Sequence, residues 1–262
     1  MYQARSPYKV TLHVWHALFM REASARITGD RLGWAWNFIE PMAHILLFVA
    51  IRQLMGKVRH IAGAEFIPWF IVGMAIFLMF STVMNRSMGA ISASRALFAY
   101  RQVHPVDTIL IRAVLEVLIK IIVLLLLIAG AAFLEYDILP ANALAAASVW
   151  CAMWLFALGI GLVLSVVVTS VQEMNKIIGM IIFPLYFLSG VMLPVQLLPH
   201  YLQAYVLFNP LLHMIESFRI AFFANYQSVQ GINMQYAMLW AVSLILLGLM
   251  LQIRFKNRLM AQ

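Results

Sequence analysis

An all-α polytopic membrane protein is predicted by three features of this chain. Of its 262 residues, 64% are hydrophobic and only 11% charged. Mean hydropathy is +0.91. The apolar residues gather into stretches near the ~20 residues that a helix needs to cross a hydrocarbon core. A chain this apolar cannot hide its surface in a water-soluble core, so lipid is its expected solvent.

Six spans are read along the chain, at 34–55, 66–86, 106–134, 141–171, 175–194 and 233–253. Glu40, Pro41, His44 and Arg52 interrupt the first. The third and fourth are long enough to tilt or to project beyond the hydrocarbon. Before the first span, 9–31 carries Val10, Val14, Trp15, Leu18 and Phe19 on one helical stripe among basic and polar residues. That pattern predicts an amphipathic helix lying at the membrane interface. Between the fifth and sixth spans, Pro184, Pro194, Pro199 and Pro210 break apolar sequence, and Leu198, Tyr201, Leu202 and Tyr205 recur at helical spacing. Short or re-entrant helices over about 195–225 are expected there. The whole chain, 1–262, reads as one transmembrane domain without an internal repeat.

Charge sets the orientation. The net charge is +8 and the pI about 9.9, yet no basic stripe is long enough to track phosphates, so nucleic acid is not an expected partner. With both termini inside, the inner face receives five Lys/Arg from the N-terminal arm, four from 86–112, Lys176 and three at the C-terminus. The outer face receives Arg52, Lys57, Arg59 and Arg219. The basic majority thus predicts cytoplasmic termini, although the first outer loop runs against the bias. No short apolar core ends in small residues near the start, so the chain is expected to insert whole.

Several chemistries find no support. One cysteine, Cys151, rules out a disulfide framework. The seven histidines show no pairing with carboxylates at ligand spacing, so no metal site is expected. No G-x-x-x-x-G-K-[ST] occurs, since Gly56-Lys57 is followed by Val58. ATP would have to be bound by a partner. There is no G-x-S-x-G, and intramembrane carboxylates are too few for a proton relay.

The candidate functional residues are charged or aromatic. Arg112, Glu116 and Lys120 follow one another at i+4 on one face of the third span. They either line a conduit for an anionic substrate or pair within the helix and hold helices together. Arg52, Lys57 and Arg59 in the first outer loop suit either an acidic polymer or lipid phosphates. Trp34, Trp36, Phe77 and Phe80 belong to an aromatic-rich set that could stack on sugar rings, although interface belts and packing account for most such residues.

Read together, Ala17-Leu18-Phe19-Met20-Arg21-Glu22, Arg31-Leu32-Gly33-Trp34-Ala35-Trp36 leading to Glu40-Pro41, Tyr100-Arg101-Gln102-Val103-His104-Pro105-Val106-Asp107-Thr108, and Asn209-Pro210-Leu211-Leu212-His213 with Glu216 and Arg219 carry a resemblance. Over nearly its whole length the chain resembles the membrane-spanning permease subunits of capsular-polysaccharide ABC exporters, which belong with the O-antigen and teichoic-acid exporters. The resemblance implies a bacterial inner-membrane homodimer beside two copies of a separate ABC ATPase, which binds ATP and Mg. It implies lipid-linked polysaccharide as cargo and periplasmic or outer-membrane export proteins as further partners. It also implies that 87–104 is a coupling loop with Arg95, Phe98, Tyr100 and Arg101 as contacts, and that Trp15, Phe19, Arg21 and Glu22 lie on a gate helix at the interface. Ser24, Ile27 and Thr28 stand where it implies a more basic, aromatic run. An O-antigen exporter, a permease for a drug or lipid, and a membrane-embedded glycosyl- or acyltransferase are the alternatives.

Overall fold

The computed structural model of the chain describes residues 7–28, 31–55 and 60–260. It is a helical bundle with one small hairpin. Helix α1 (Pro7–Thr28) and helix α2 (Arg31–Met55, with Pro41 inside it) come first. Strands β1 (His60–Ile61) and β2 (Ala64–Glu65) follow as an antiparallel pair, with His60 opposite Glu65. The remaining helices are α3 (Phe66–Met88), α4 (Ala90–Ala93), α5 (Pro105–Phe133), α6 (Ala143–Ser170), α7 (Met174–Leu188), α8 (His200–Val206), α9 (Pro210–Phe222), α10 (Met234–Arg254) and α11 (Lys256–Met260). Short 3₁₀ turns cover Arg95–Ala99 and Val195–Leu197.

Among the described residues, α3, α5, α6 and α10 are the helices long and apolar enough to cross a membrane by length and composition. Helix α2 has the length, but its polar residues lower its hydropathy. Helix α7 is apolar but has only 15 residues. The expected fifth span, 175–194, is shortened because the chain turns at Gly190, in the left-handed region at φ 72°. Glycine takes up that conformation without a Cβ penalty.

Helix α3 is the centre of the bundle. Trp69, Val72, Met74, Ile76, Met79, Phe80 and Val83 along it are fully enclosed. Helices α5, α6 and α9 pack on it, and α10 lies against α6 in the most extensive helix pair of the fold. That pairing relies on close backbone approach. A Cβ on Gly248 would lie 2.5 Å from Leu162 Cβ. Small residues allow such contact where lipid removes the usual hydrophobic drive for helix association. The Gln252 amide adds a buried polar rung, donating to Leu162 O at 3.2 Å and Ser165 Oγ at 2.7 Å.

Helix starts are capped by sequence-local means. Asn142, Asn209 and Asn233 accept from backbone N–H groups in the first turns of α6, α9 and α10. At α5 the Asp107 carboxylate accepts from the His104 backbone N–H at 2.9 Å. These bonds satisfy donors that a helix start leaves unpaired.

The hairpin turns through Ala62 and Gly63, both at positive φ (49° and 93°), as a two-residue hairpin loop requires. It docks on the segment before α10, with Ala62 O accepting from Gln227 N at 2.9 Å. This hairpin, the 134–142 connection and residues 222–225 meet at one end of the bundle, around a cavity of about 420 Å³. The 3₁₀ turn after α4 and the α6–α7 turn meet at the other, where Arg95 and residues 169–173 line a cavity of about 560 Å³.

Candidate functional site

Two buried polar constellations stand out in a fold otherwise built from apolar contacts. The first joins α1, α3 and α5. On α1, Trp15 Nε1 donates to Asp107 Oδ1 at 2.8 Å. Seven residues on, Glu22 pairs with Arg112, with Nε to Oε1 at 3.0 Å and Nη2 donating to Oε2 at 3.2 Å. One turn further, Arg26 pairs with Glu116, which also takes Arg86 from α3 at 3.6 Å. The rungs advance together along α1 and α5, so the two helices run side by side in the same direction. Leu18, buried, and Trp15 and Phe19, half-buried, supply the apolar contacts between them.

The stripe on α5 is therefore satisfied from outside its own helix. The expected i+4 pairing of Arg112, Glu116 and Lys120 is not what forms, because Glu22, Arg26 and Arg86 reach the same side chains from neighbouring helices. Glu116 is 1% exposed and its Oε2 has no hydrogen-bond partner among the described residues, so removing its cationic partners would leave a bare carboxylate in a low-dielectric setting. Lys120 is also buried, at 2% exposure, and the carboxylate whose charge reaches it is Glu40 on α2. Burial, followed by repulsion from Arg86, pushes the Arg26 guanidinium down to about 10. Arg21 stays half-exposed, 3.6 Å from Glu22.

The other expected site residues divide by burial. Arg95, Tyr100 and Arg101 are exposed on the connection between α4 and α5. Phe98, expected among the contacts, is buried instead. At 8% exposure it is an anchor that plugs this connection into the core. Phe77 and Phe80 are likewise spent on packing, with Phe77 edge-on to Tyr186 at 5.0 Å and Phe80 stacked on Phe156 at 5.8 Å. Trp36 is exposed on α2. Trp34 and Arg52 lie on α2 with side chains outside the described set, and Lys57 and Arg59 lie outside the described residues. Among the described residues, no group of three or more His, Cys, Asp or Glu is placed to hold a metal ion.

The second constellation is centred on α9. Glu216 and Arg219 are fully buried and joined at 2.8 Å. Arg219 Nη1 also donates to Gly190 O at 2.8 Å and Nη2 to Val191 O at 3.2 Å. Its guanidinium lies over the Trp69 ring. Tyr226 shares its hydroxyl proton between the Glu216 oxygens at 3.1 and 3.0 Å, and accepts from Trp69 Nε1 at 3.0 Å. Gln196 Nε2 reaches the same hydroxyl at 3.1 Å. Burial pushes the Tyr226 phenol up while the Arg219 charge opposes it, so the phenol stays a donor to Glu216. The network ties the turn after α7 and the loop before α10 to α3. Sequence reasoning placed Arg219 as an outer-loop charge. The overlooked signal was Glu216 three residues before it on the same helix, an acid–base pair on one helical face.

Between α5 and α6 runs an apolar groove of about 560 Å³, lined among others by Val117, Ile121, Pro140, Trp150 and Trp154, with the unpaired Cys151 on its wall. Both constellations join helices, and the first ends at a surface rich in exposed basic residues.

Comparison with known proteins agrees with a transport role. The ABC-2 type transporter family matches residues 13–223. The chain is 36% identical over 252 residues to the polysialic acid transport protein KpsM of Escherichia coli, covering 95% of each. It is 30% identical over 241 residues to the capsule polysaccharide export inner-membrane protein CtrC of Neisseria meningitidis, covering 92% of this chain and 90% of that one. It is 28% identical over 248 residues to the capsule polysaccharide export inner-membrane protein BexB of Haemophilus influenzae, covering 93% and 91%.

Proposed function

The chain belongs to the ABC-2 type transporter family, and from that membership we propose that it is the membrane-spanning subunit of an ATP-driven exporter that carries lipid-anchored capsular polysaccharide across the bacterial inner membrane. The observation that carries this reading is its likeness along nearly the full chain to three capsule or polysialic acid transport proteins. The runner-up, export of an O-antigen or another ABC substrate through the same architecture, lacks such a relative among these.

In this reading α2 and α7 complete six spans around α3, α5, α6 and α10, both termini face the cytoplasm, and two copies form the conduit. A separate ATPase, two copies per dimer, binds ATP and Mg and docks on the exposed Arg95, Tyr100 and Arg101. Closure of the ATPases moves helix bundles as rigid bodies. The ion pairs that join α1, α3 and α5 around the buried Glu116 make that part of each bundle one mechanical unit. A polymer in transit requires weak, repeated contacts rather than one tight site. Exposed aromatics such as Trp36 suit that role better than the buried Phe77 and Phe80. Periplasmic and outer-membrane partners would receive the polymer.

Deleting the gene and assaying polysaccharide separately at the surface and inside the cell tests the proposal. Polymer lost outside and accumulating inside is expected, with its composition separating capsule from O-antigen. Polymer missing from both compartments would favour a synthetic enzyme, and unchanged polymer would overturn the assignment.

A further inference from the structure

The connection between α4 and α5 is not a slack loop. Leu97 N donates to Ser94 O at 2.9 Å, Tyr100 N to Leu97 O at 3.1 Å and Val103 N to Tyr100 O at 3.0 Å. Asp107 N then donates to His104 O at 3.0 Å. The first two bonds belong to the 3₁₀ turn Arg95–Ala99 and its cap; Tyr100 is then extended, and one further turn leads on to α5. Phe98 and Val103, both buried, press this connection into the core. It is a strut with exposed basic and aromatic residues on one side and α5 at its end.

At that end Asp107 serves two elements at once. Oδ2 takes the His104 backbone N–H, which closes the strut onto α5, and Oδ1 takes Trp15 Nε1, which joins both to α1. Beside it, Leu18 and Glu22 of α1 face Ser94 at the base of the strut and Arg112 of α5 around a space of about 10 Å³, room for one water at most.

We infer that Asp107 is a positioning residue that keys α1 to the strut, so that displacement of residues 95–104 moves α1 with it. This rests on the reading above that the exposed side of the strut receives the ATPase. Asp107 is not proposed to bind cargo or nucleotide. It acts through Trp15, and its two oxygens cannot both be replaced by an amide, which has a single acceptor oxygen for two donors.

The test uses the full permease–ATPase complex, with Trp15→Phe, Asp107→Asn, the double variant, and Arg101→Glu as reference. Trp15→Phe keeps an aromatic side chain, smaller than indole, and loses the donor. Surface polymer in cells, ATP hydrolysis by the complex in proteoliposomes, membrane level and thermal unfolding are measured together. The expected result is roughly tenfold less surface polymer for either single variant, the scale of one charge-assisted hydrogen bond. ATP hydrolysis, membrane level and melting temperature should hold, and the double variant should be no worse than the singles. ATP hydrolysis and melting temperature falling together with export would show a merely structural bond and overturn the inference. Normal export with Trp15→Phe while Arg101→Glu blocks it would overturn the keying and leave the docking reading intact. Normal export with both would remove the docking reading and the keying with it.

Discussion

The Arg219 guanidinium carbon lies 3.6 Å from the centroid of the Trp69 ring, inside a bundle where both residues are completely enclosed. The position exists because α3 has no side chain at Gly73, where a Cβ would come within 2.2 Å of Arg219 Nη2. The charge is balanced by Glu216, and Nη1 and Nη2 donate to Glu216, Gly190 and Val191, while Nε has no hydrogen-bond partner among the described residues.

Replacing Arg219 by Gln leaves Glu216 buried without its cation. We expect a loss of about 3–5 kcal/mol in unfolding free energy, the range for breaking a buried pair. Thermal unfolding in detergent measures it. Gly73→Ala should cost about 1–3 kcal/mol by overpacking the same place. Arg219→Met combined with Glu216→Leu should recover much of the loss, because removing both charges spares their desolvation.

Glu116→Gln uncouples three helices at once, since one carboxylate holds Arg26 of α1 and Arg86 of α3. Protease sensitivity of the α1 region and surface polymer both report on it. The first should rise and the second fall, and Arg86→Gln alone, which removes the longer contact, should have the smaller effect.

The Arg26 contribution should not vary with pH in the ordinary range. Its folded pKa is pushed down to about 10, so the folded protein releases this proton before the unfolded chain does. Below about pH 9 both states hold the proton and the contribution is constant. Above the folded pKa the unfolded state binds more protons, so the burial penalty on the cation fades as pH rises. The difference in melting temperature between the wild type and Arg26→Gln should therefore stay flat between about pH 6 and 9.

Phe98 and Arg101 should separate anchoring from docking. Phe98→Ala removes a buried aromatic side chain and should lower stability by about 3–5 kcal/mol. Arg101→Glu changes an exposed charge and should leave the melting temperature alone while abolishing co-purification of the ATPase. Retained co-purification with Arg101→Glu would count against this docking surface.

At the hairpin, Gly63→Val should destabilise by about 1–3 kcal/mol, the scale of a strained left-handed residue. A Cβ there would also lie 2.3 Å from Asn225 O. The shift in melting temperature measures this. Gly130→Ala, where a Cβ meets nothing within 4 Å, serves as the control.

Much of the helical framework was legible in the sequence. Helices occupy the apolar stretches now bounded as α3, α5, α6 and α10, because length and hydropathy are local properties that lipid makes decisive. Of the stripe read over Val10–Phe19, Val14, Trp15, Leu18 and Phe19 pack into the core from α1. The hairpin at 60–65 was missed, because two-residue strands leave almost no periodicity and Ala62-Gly63 is a weak turn signal. The shortening of α7 turns on Gly190, whose conformation is held by Arg219 from a helix 29 residues away. Aromatic residues could be read as ligands or as packing, and only burial assigned Phe77, Phe80 and Phe98 to packing.

The sequence by itself determined that this chain lives in lipid, which stretches become helices and, through its motifs, which family it joins. Those follow from composition, spacing and residue order, each readable within a short window or along the line of the chain. Only the tertiary structure decided how the buried charges are paired. Glu116 lies four residues from both Arg112 and Lys120, yet it pairs with Arg26 and Arg86, because helix packing brought those guanidinium groups to it and a carboxylate cut off from water binds the donors that packing delivers.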